Sequence, residues 1–307
     1  MARQGKNSFK EVFRPVDLVI ITYQVVMSIV AIVFLSRSGS GGMNIVRHGL
    51  SLAAIVALRM LAYRFGGTAL GLLSDWYPIL TLPFTYKSTG DYIHAVFPGT
   101  IDSQLYALDA WLLGTDPARF IQSLQTPLRS DVLQLAYCSF FAIIFFSCYI
   151  LYRNGKMYAF SNVRMAIVAI LYGTYLVFLV LPAHGPRFEY REFFRLNGGL
   201  VTHTVNSFIG GAAYCGGAFP SGHAAVSLAV CAALRRYQRD WLPVFAAVTL
   251  LLLAATVYGG YHYIVDLIAG ALFGAAVAYA ALRWNRSWHR RHGTTAAPAA
   301  APGAPGR

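Results

Sequence analysis

Charge is scarce in this sequence. Only 12% of its 307 residues are charged, about half the share found in soluble domains, which excludes an ordinary soluble globular fold. Acidic residues are scarcer still, with 12 Asp and Glu against 25 Lys and Arg. A net charge of +13 would suggest nucleic acid in a soluble chain. Here the basic residues cluster beside apolar runs, where they mark the cytoplasmic side of a membrane and meet anionic lipid. No nucleic-acid partner is expected. Cysteine is limited to Cys138, Cys148, Cys215 and Cys231. Three of them fall in apolar helix candidates without partner spacing, so neither a disulfide framework nor a metal cluster is read. Apolar/polar alternation is missing, which argues against a β-barrel. Internal repeats are missing as well.

What is abundant is apolar length. The hydrophobic fraction is 57% and the mean hydropathy +0.52. Several runs are long enough to cross about 30 Å of hydrocarbon as helices. The expected fold is all-α, a polytopic transmembrane bundle of six to eight spans. Candidate spans fall near 17–36, 49–65, 69–86, 131–152, 163–182, 221–238, 241–258 and 262–283. The third is the weakest, because "LGLLSDWYPILTLPFTY" carries Asp75, Pro78 and Pro83. The first apolar run lacks a small-residue cleavage site and reads as a retained helix. The basic N-terminus, Arg59 and Arg64, "YRNGKMYAFSNVR", "RRYQRD" and "RWNRSWHRRH" fall on one side if there are eight crossings. Both termini are then cytoplasmic. The loop 87–130 is read as carrying an amphipathic helix on the outer surface, with Asp102, Asp109 and Asp116 between its apolar positions. The end of the chain, "GTTAAPAAAPGAPGR", is read as disordered.

Three stretches at the outer ends of helices carry unusual polar residues. In "YGGYHYIVDLIAG", His262 and Asp266 are four apart and share a helix face. An aspartate there fixes which imidazole nitrogen is free and stabilises a positive ring. The free nitrogen becomes a directed nucleophile or base. A purely structural helix tie is the plainer alternative, though ionisable groups in membrane segments usually have a function. In "GGAFPSGHAAVSLAV", Pro220 and Ser221 suit a helix start and Ser221 can cap. The N-terminal N–H groups then favour an anion, and Gly222 allows close approach. His223, in the first turn, can hand a proton to a leaving oxygen; an interfacial histidine behind a capped serine is the alternative. In "LPAHGPRFEY", the fork of Arg187 suits phosphate, whereas Arg191 and Arg195 better fit lipid headgroups. His184 is given no role.

The "PSGH" and "HYIVD" pieces resemble the second and third signature motifs of the type 2 phosphatidic acid phosphatase superfamily, and "HGPR" resembles a degenerate first motif. The three lie in order within 163–283. The long outer loop with "LDAWLLGTDP" and the wording "HYIVDLIAG" are similar to the branch containing inositol phosphorylceramide synthases and their bacterial relatives. The resemblance implies a metal-independent site without cofactor, facing the outer leaflet or an organelle lumen. It would act on a lipid phosphate or phospholipid. His262 would form a phosphohistidine, Asp266 would orient it, and His223 would protonate the departing alcohol. Arg187, Ser221 and the Gly222 N–H would hold the phosphate oxygens. Four regions follow: a basic cytoplasmic N-terminus (1–16), N-terminal membrane helices with the outer loop (17–162), the catalytic membrane core (163–283) and a basic, disordered tail (284–307).

The chain departs from the family pattern where a lysine and a Ser-Arg pair are usual. Here those positions hold Val180 and Ala255-Thr256. Two phosphate-binding cations are missing, which leaves hydrolysis and headgroup transfer both open. Three other classes compete. An intramembrane serine protease would use Ser221 as nucleophile. A metal enzyme would use His223, His262 and Asp266 as ligands. A transporter would use the polar outer vestibule.

Overall fold

Proline marks where many of the helices begin, since the first helical position needs no N–H. Helix α1 (Pro15–Val33) opens on Pro15. Two more follow, α2 (Gly41–Phe65) and α3 (Thr68–Leu80). Pro83 lies in the first turn of α4 (Leu82–Gly90), and the short α5 (Ile93–Val96) follows. After α6 (Asp102–Leu113), Pro117 opens α7 (Pro117–Ser123) and Pro127 opens α8 (Pro127–Arg153). Side chains of Asp116 and Thr126 cap these last two. Then come α9 (Met157–Val180), α10 (Pro186–Glu189), α11 (Leu200–Ala212), α12 (Gly222–Tyr237), α13 (Leu242–Tyr258) and α14 (Ile264–Arg291).

The computed structural model describes residues 12–38, 41–190, 196–212 and 216–292, and among them no β-strand occurs beyond an isolated bridge. The basic stretch 1–11, Arg191, Arg195, Cys215 and the tail from 293 onward lie outside the described residues.

Among the described residues, six helices are long and apolar enough to cross a membrane: α1, α2, α8, α9, α14, and α13 with its preceding turn. The third expected span is two helices, α3 and α4, which meet at Thr81. Pro78 and Pro83 break the ladder there. The sixth is α12, only 16 residues long. The last helix runs on to Arg291, so the start of the expected tail, 284–291, is helical instead. In the polar stretch 183–220, read from sequence as loop, the chain forms α10 and α11.

Helix α9 lies at the centre, with 72% of its apolar window buried. It packs against α12, α14, α1 and α8. Asp75, the residue that weakened the third span, is paired at this helix: it accepts from Arg14 at 2.7 Å and Arg164 at 3.2 Å. Asp17 meets Arg14 and Arg59 in the same buried cluster. Buried charges persist only when paired in this way. The cluster lies at the start of α9, the end to which Lys156 ties the C-terminal end of α12 through the Tyr237 carbonyl. Arg235 and Arg236 close α12, and Arg290 and Arg291 close α14. Basic side chains therefore gather at one end of the bundle, and the starts of α12 and α14 lie at the other.

Candidate active site

Backbone hydrogen bonds tie the three motif segments together pairwise. Ala183 N–H donates to Gly216 O at 3.2 Å, and Ala218 N–H donates to Ala183 O at 2.9 Å. These join the first segment to the second. Ser221 N–H donates to Asp266 O at 3.1 Å, joining the second to the third. Arg187 N–H donates to Gly260 O at 2.8 Å, joining the first to the third. Glycine makes the closest approaches possible. A Cβ on Gly270 would lie 2.3 Å from Ser221 O, and one on Gly274 would lie 2.7 Å from Ala225 Cα. Gly185 has φ +85°, and a Cβ there would stand 2.5 Å from Tyr261 O.

Within this frame His262 and His223 face each other. Nδ1 of His223 is 3.0 Å from Nε2 of His262. Asp266 lies on the other side of the His262 ring, with Oδ2 3.4 Å from Nδ1. The same Oδ2 accepts the Tyr263 N–H at 2.9 Å, which closes the first turn of α14. His262 is 3% exposed and Asp266 fully buried. Burial pushes the His262 imidazole down to about 4, with the Ala218 backbone opposing. The ring is neutral at physiological pH.

Ser221 caps α12, its Oγ accepting the Ala224 N–H at 3.3 Å. Helix α12 starts at Gly222, so Pro220 precedes the cap rather than occupying the first turn. A Cβ on Gly222 would meet Leu171 at 3.4 Å and Thr174 at 3.7 Å, so its open side faces α9.

Arg187 sits on α10 and donates through Nη1 to Tyr261 Oη at 2.7 Å. Its guanidinium also lies 5.3 Å from the Tyr261 ring centre. Tyr261 donates to Gln134 Oε1 at 2.9 Å, and Gln134 donates to Asn206 Oδ1 at 2.9 Å. Tyr137 stacks on Tyr261 at 4.1 Å and approaches His223 at 5.1 Å. Arg187 is thus linked to the histidine pair by a wall of aromatic rings. Among the described residues, Arg187 makes no ion pair, so its charge is available for an anion. Of the positions where the family has cations, Thr256 is buried and Val180 is 55% exposed.

Sequence reasoning missed the acids that hold this frame. Asp102 accepts from His184 N at 2.8 Å, Gly185 N at 2.9 Å and Tyr263 Oη at 2.9 Å. Asp109 accepts from Ile264 N at 2.7 Å and Val265 N at 2.9 Å, at the N-terminus of α14. Burial raises the Asp109 carboxyl above its usual range. Both face inward, whereas Trp111 on the other side of α6 is 80% exposed. The seven-residue spacing of the two was the available signal, since it puts them on one helix face. It also fits the expected amphipathic helix, but with the acids turned toward protein.

Among the described residues, Asp102, His184 and Glu189 bring three ligand atoms within 4.8 Å. Asp102 is already committed to the donors above, and His184 Nδ1 pairs with Glu189 at 2.9 Å. His223, His262 and Asp266 do not converge as ligands, because His223 and Asp266 sit on opposite nitrogens of His262. The protease reading would pair His262 with Ser221; among the described residues His262 Nε2 meets His223 and Ser221 Oγ accepts the Ala224 N–H.

The family model of the PAP2 superfamily matches residues 103–281, from α6 into α14. It thus takes in helices α6 and α7, ahead of the expected core at 163–283. No curated protein and no solved structure matches the chain.

Proposed function

Because the chain belongs to the PAP2 superfamily and is a membrane enzyme of the phosphatase or phosphotransferase type, we propose that it cleaves a lipid phosphate ester through a phosphohistidine on His262. The observation that carries this reading is the His223–His262–Asp266 alignment. With its Nδ1–H turned to Asp266, His262 keeps a lone pair on Nε2. The proton between the two rings then belongs to Nδ1 of His223. The nucleophile is unprotonated and the acid is loaded in the same neutral pair.

In the first step the Nε2 lone pair attacks phosphorus. The bond from phosphorus to the leaving alcohol breaks, and that oxygen takes the His223 proton. Asp266 stabilises the phosphorylated, positive imidazole through Nδ1–H. Arg187, the Ser221 hydroxyl and the Gly222 N–H hold the phosphoryl oxygens as charge develops. In the second step an acceptor hydroxyl gives its proton back to His223 and attacks phosphorus, and the P–N electron pair returns to His262. The site lies at the end of the bundle opposite the basic cluster, so by the positive-inside rule it faces the periplasm, cell exterior or lumen.

A second reading is supported by Val180 and Thr256. With Arg187 as the cation of the site, a phosphodiester of lower charge is matched better than a monoester. The acceptor would then be an alcohol, and the product a new headgroup ester of the inositol phosphorylceramide synthase type.

The deciding experiment uses purified protein and its His262→Ala variant in detergent with chelator. Lipid monophosphates, lipid diphosphates and phospholipid-plus-alcohol pairs are supplied, and free phosphate and new lipids are followed. Phosphate release dependent on His262 identifies a phosphatase. A new headgroup ester without phosphate identifies a transferase. Turnover that survives His262→Ala refutes the phosphohistidine.

A further inference from the structure

Helices α12 and α14 touch at Ala225 and Gly274, near the site. Toward the basic end they leave a groove between them and the start of α9, with a volume of about 340 Å³. That is within the usual range of small-molecule sites, about 300–1,000 Å³. Alanines line it, including Ala229, Ala233, Ala275 and Ala278. Its charged lining residues are Arg236 and Arg286, both at the basic end, and no acid lines it. Nε of Arg286 is buried without a hydrogen-bond partner, a state that costs free energy unless a ligand supplies an acceptor.

We propose that this groove binds one anionic phospholipid from the leaflet at the basic end, with its phosphate between Arg236 and Arg286 and an acyl chain along the alanines. Three observations fix the occupant. The charge is wholly positive and sits at one end, as a lipid headgroup requires. Apart from Asn162, Tyr237 and Tyr279 the remainder is apolar, which suits a chain rather than a sugar or nucleotide. From Arg236 to Ala225, eleven residues of α12 rise about 16 Å, close to half of the roughly 30 Å hydrocarbon thickness. A lipid held this way points its tail to the midplane, as the bilayer demands. Apart from Ala225, no lining residue adjoins the histidine pair, so the ligand is separate from substrate.

The test is native mass spectrometry of full-length protein in detergent, titrated with phosphatidylglycerol or phosphatidylcholine. Wild type should retain one phosphatidylglycerol in preference to phosphatidylcholine by about 30-fold, as two interfacial arginines allow. Arg236→Gln combined with Arg286→Gln should erase that preference. Ala275→Phe, which fills the floor and keeps both arginines, should lower retention of both lipids. Arg187→Ala should leave retention unchanged. The proposal is overturned by equal retention of the two lipids in wild type, by a phosphatidylglycerol preference that survives the arginine variant, by retention that survives Ala275→Phe, or by loss in Arg187→Ala, which would put the lipid in the catalytic site. Melting temperatures of the variants show whether each is folded; if the arginine pair is not, Ala275→Phe and Arg187→Ala still decide.

Discussion

Nδ1 of His223 stands 3.0 Å from Nε2 of His262. This contact couples the protonation of the two rings. If Asp266, on the far side of His262, accepts the His262 Nδ1–H, the proton between the two rings belongs to His223. On the proposed mechanism, the two roles, nucleophile and acid, are therefore separated before any substrate arrives.

The acid role predicts a leaving-group effect. His223→Ala should slow turnover of a lipid ester by about 10²–10⁴. An activated aryl phosphate, whose leaving oxygen needs no proton, should lose far less. His262→Ala should abolish turnover of both. Rates on the two substrates for each variant provide the check. Equal losses on both in His223→Ala would remove its acid role.

Burial of neutral His262 predicts a pH dependence of stability. In the unfolded chain this imidazole takes a proton near its ordinary value of about 6.5; in the folded chain it does so near about 4. Between these values the unfolded state binds more protons, so stability is lost as pH falls through this window. The thermal midpoint of wild type minus that of His262→Gln should drop as pH is lowered from 6.5 to 4. A constant difference would contradict the burial argument.

Asp102 is expected to position rather than react. Asp102→Ala strips acceptors from His184 N, Gly185 N and Tyr263 Oη at once. Buried, charge-assisted hydrogen bonds contribute about 1.5–3 kcal/mol each, and the variant should lose at least about 3 kcal/mol. Denaturation in detergent measures the loss. Phosphohistidine trapping in the surviving folded fraction should still occur, only more slowly.

Gly270→Ala tests the helix junction. The new methyl would collide with the Ser221 carbonyl backbone, which a rotamer change cannot relieve. Overpacking of this kind costs about 1–3 kcal/mol. Because Ser221 starts the helix carrying His223, kcat should fall along with the melting temperature. A variant with unchanged kinetics would mean that the contact relaxes without moving α12.

Ser221→Ala separates phosphoryl transfer from proteolysis. Loss of the cap should cost about 1 kcal/mol, with activity weakened but measurable. Complete loss of activity in a folded variant would favour Ser221 as nucleophile.

Much of this site could be read without coordinates. His262 and Asp266 do meet, but not on one helix face as their spacing suggested: α14 begins at Ile264, and His262 reaches Asp266 from the turn before it. Ser221 caps because a serine before a small-residue helix has that local chemistry. Hydropathy located the long apolar helices. Each of these depends on neighbours in sequence. The pairing of His223 with His262, 39 residues apart, does not, nor does the partnership of Arg187 with Tyr261, Gln134 and Asn206.

The direction of a helix face was the hardest feature to foresee. On α6 the period placed Asp102 and Asp109 together, but in a bilayer the apolar side of a helix can point outward to lipid as readily as inward to protein. Periodicity therefore finds the stripe without saying which way it turns. Only the packed structure decided that, because the donors which turn these acids inward, the N–H groups of His184, Gly185, Ile264 and Val265, come from segments 75 or more residues away. The sequence alone located the long apolar helices and the three polar motif segments; tertiary contact determined which of their residues meet, because the partners come from distant parts of the chain.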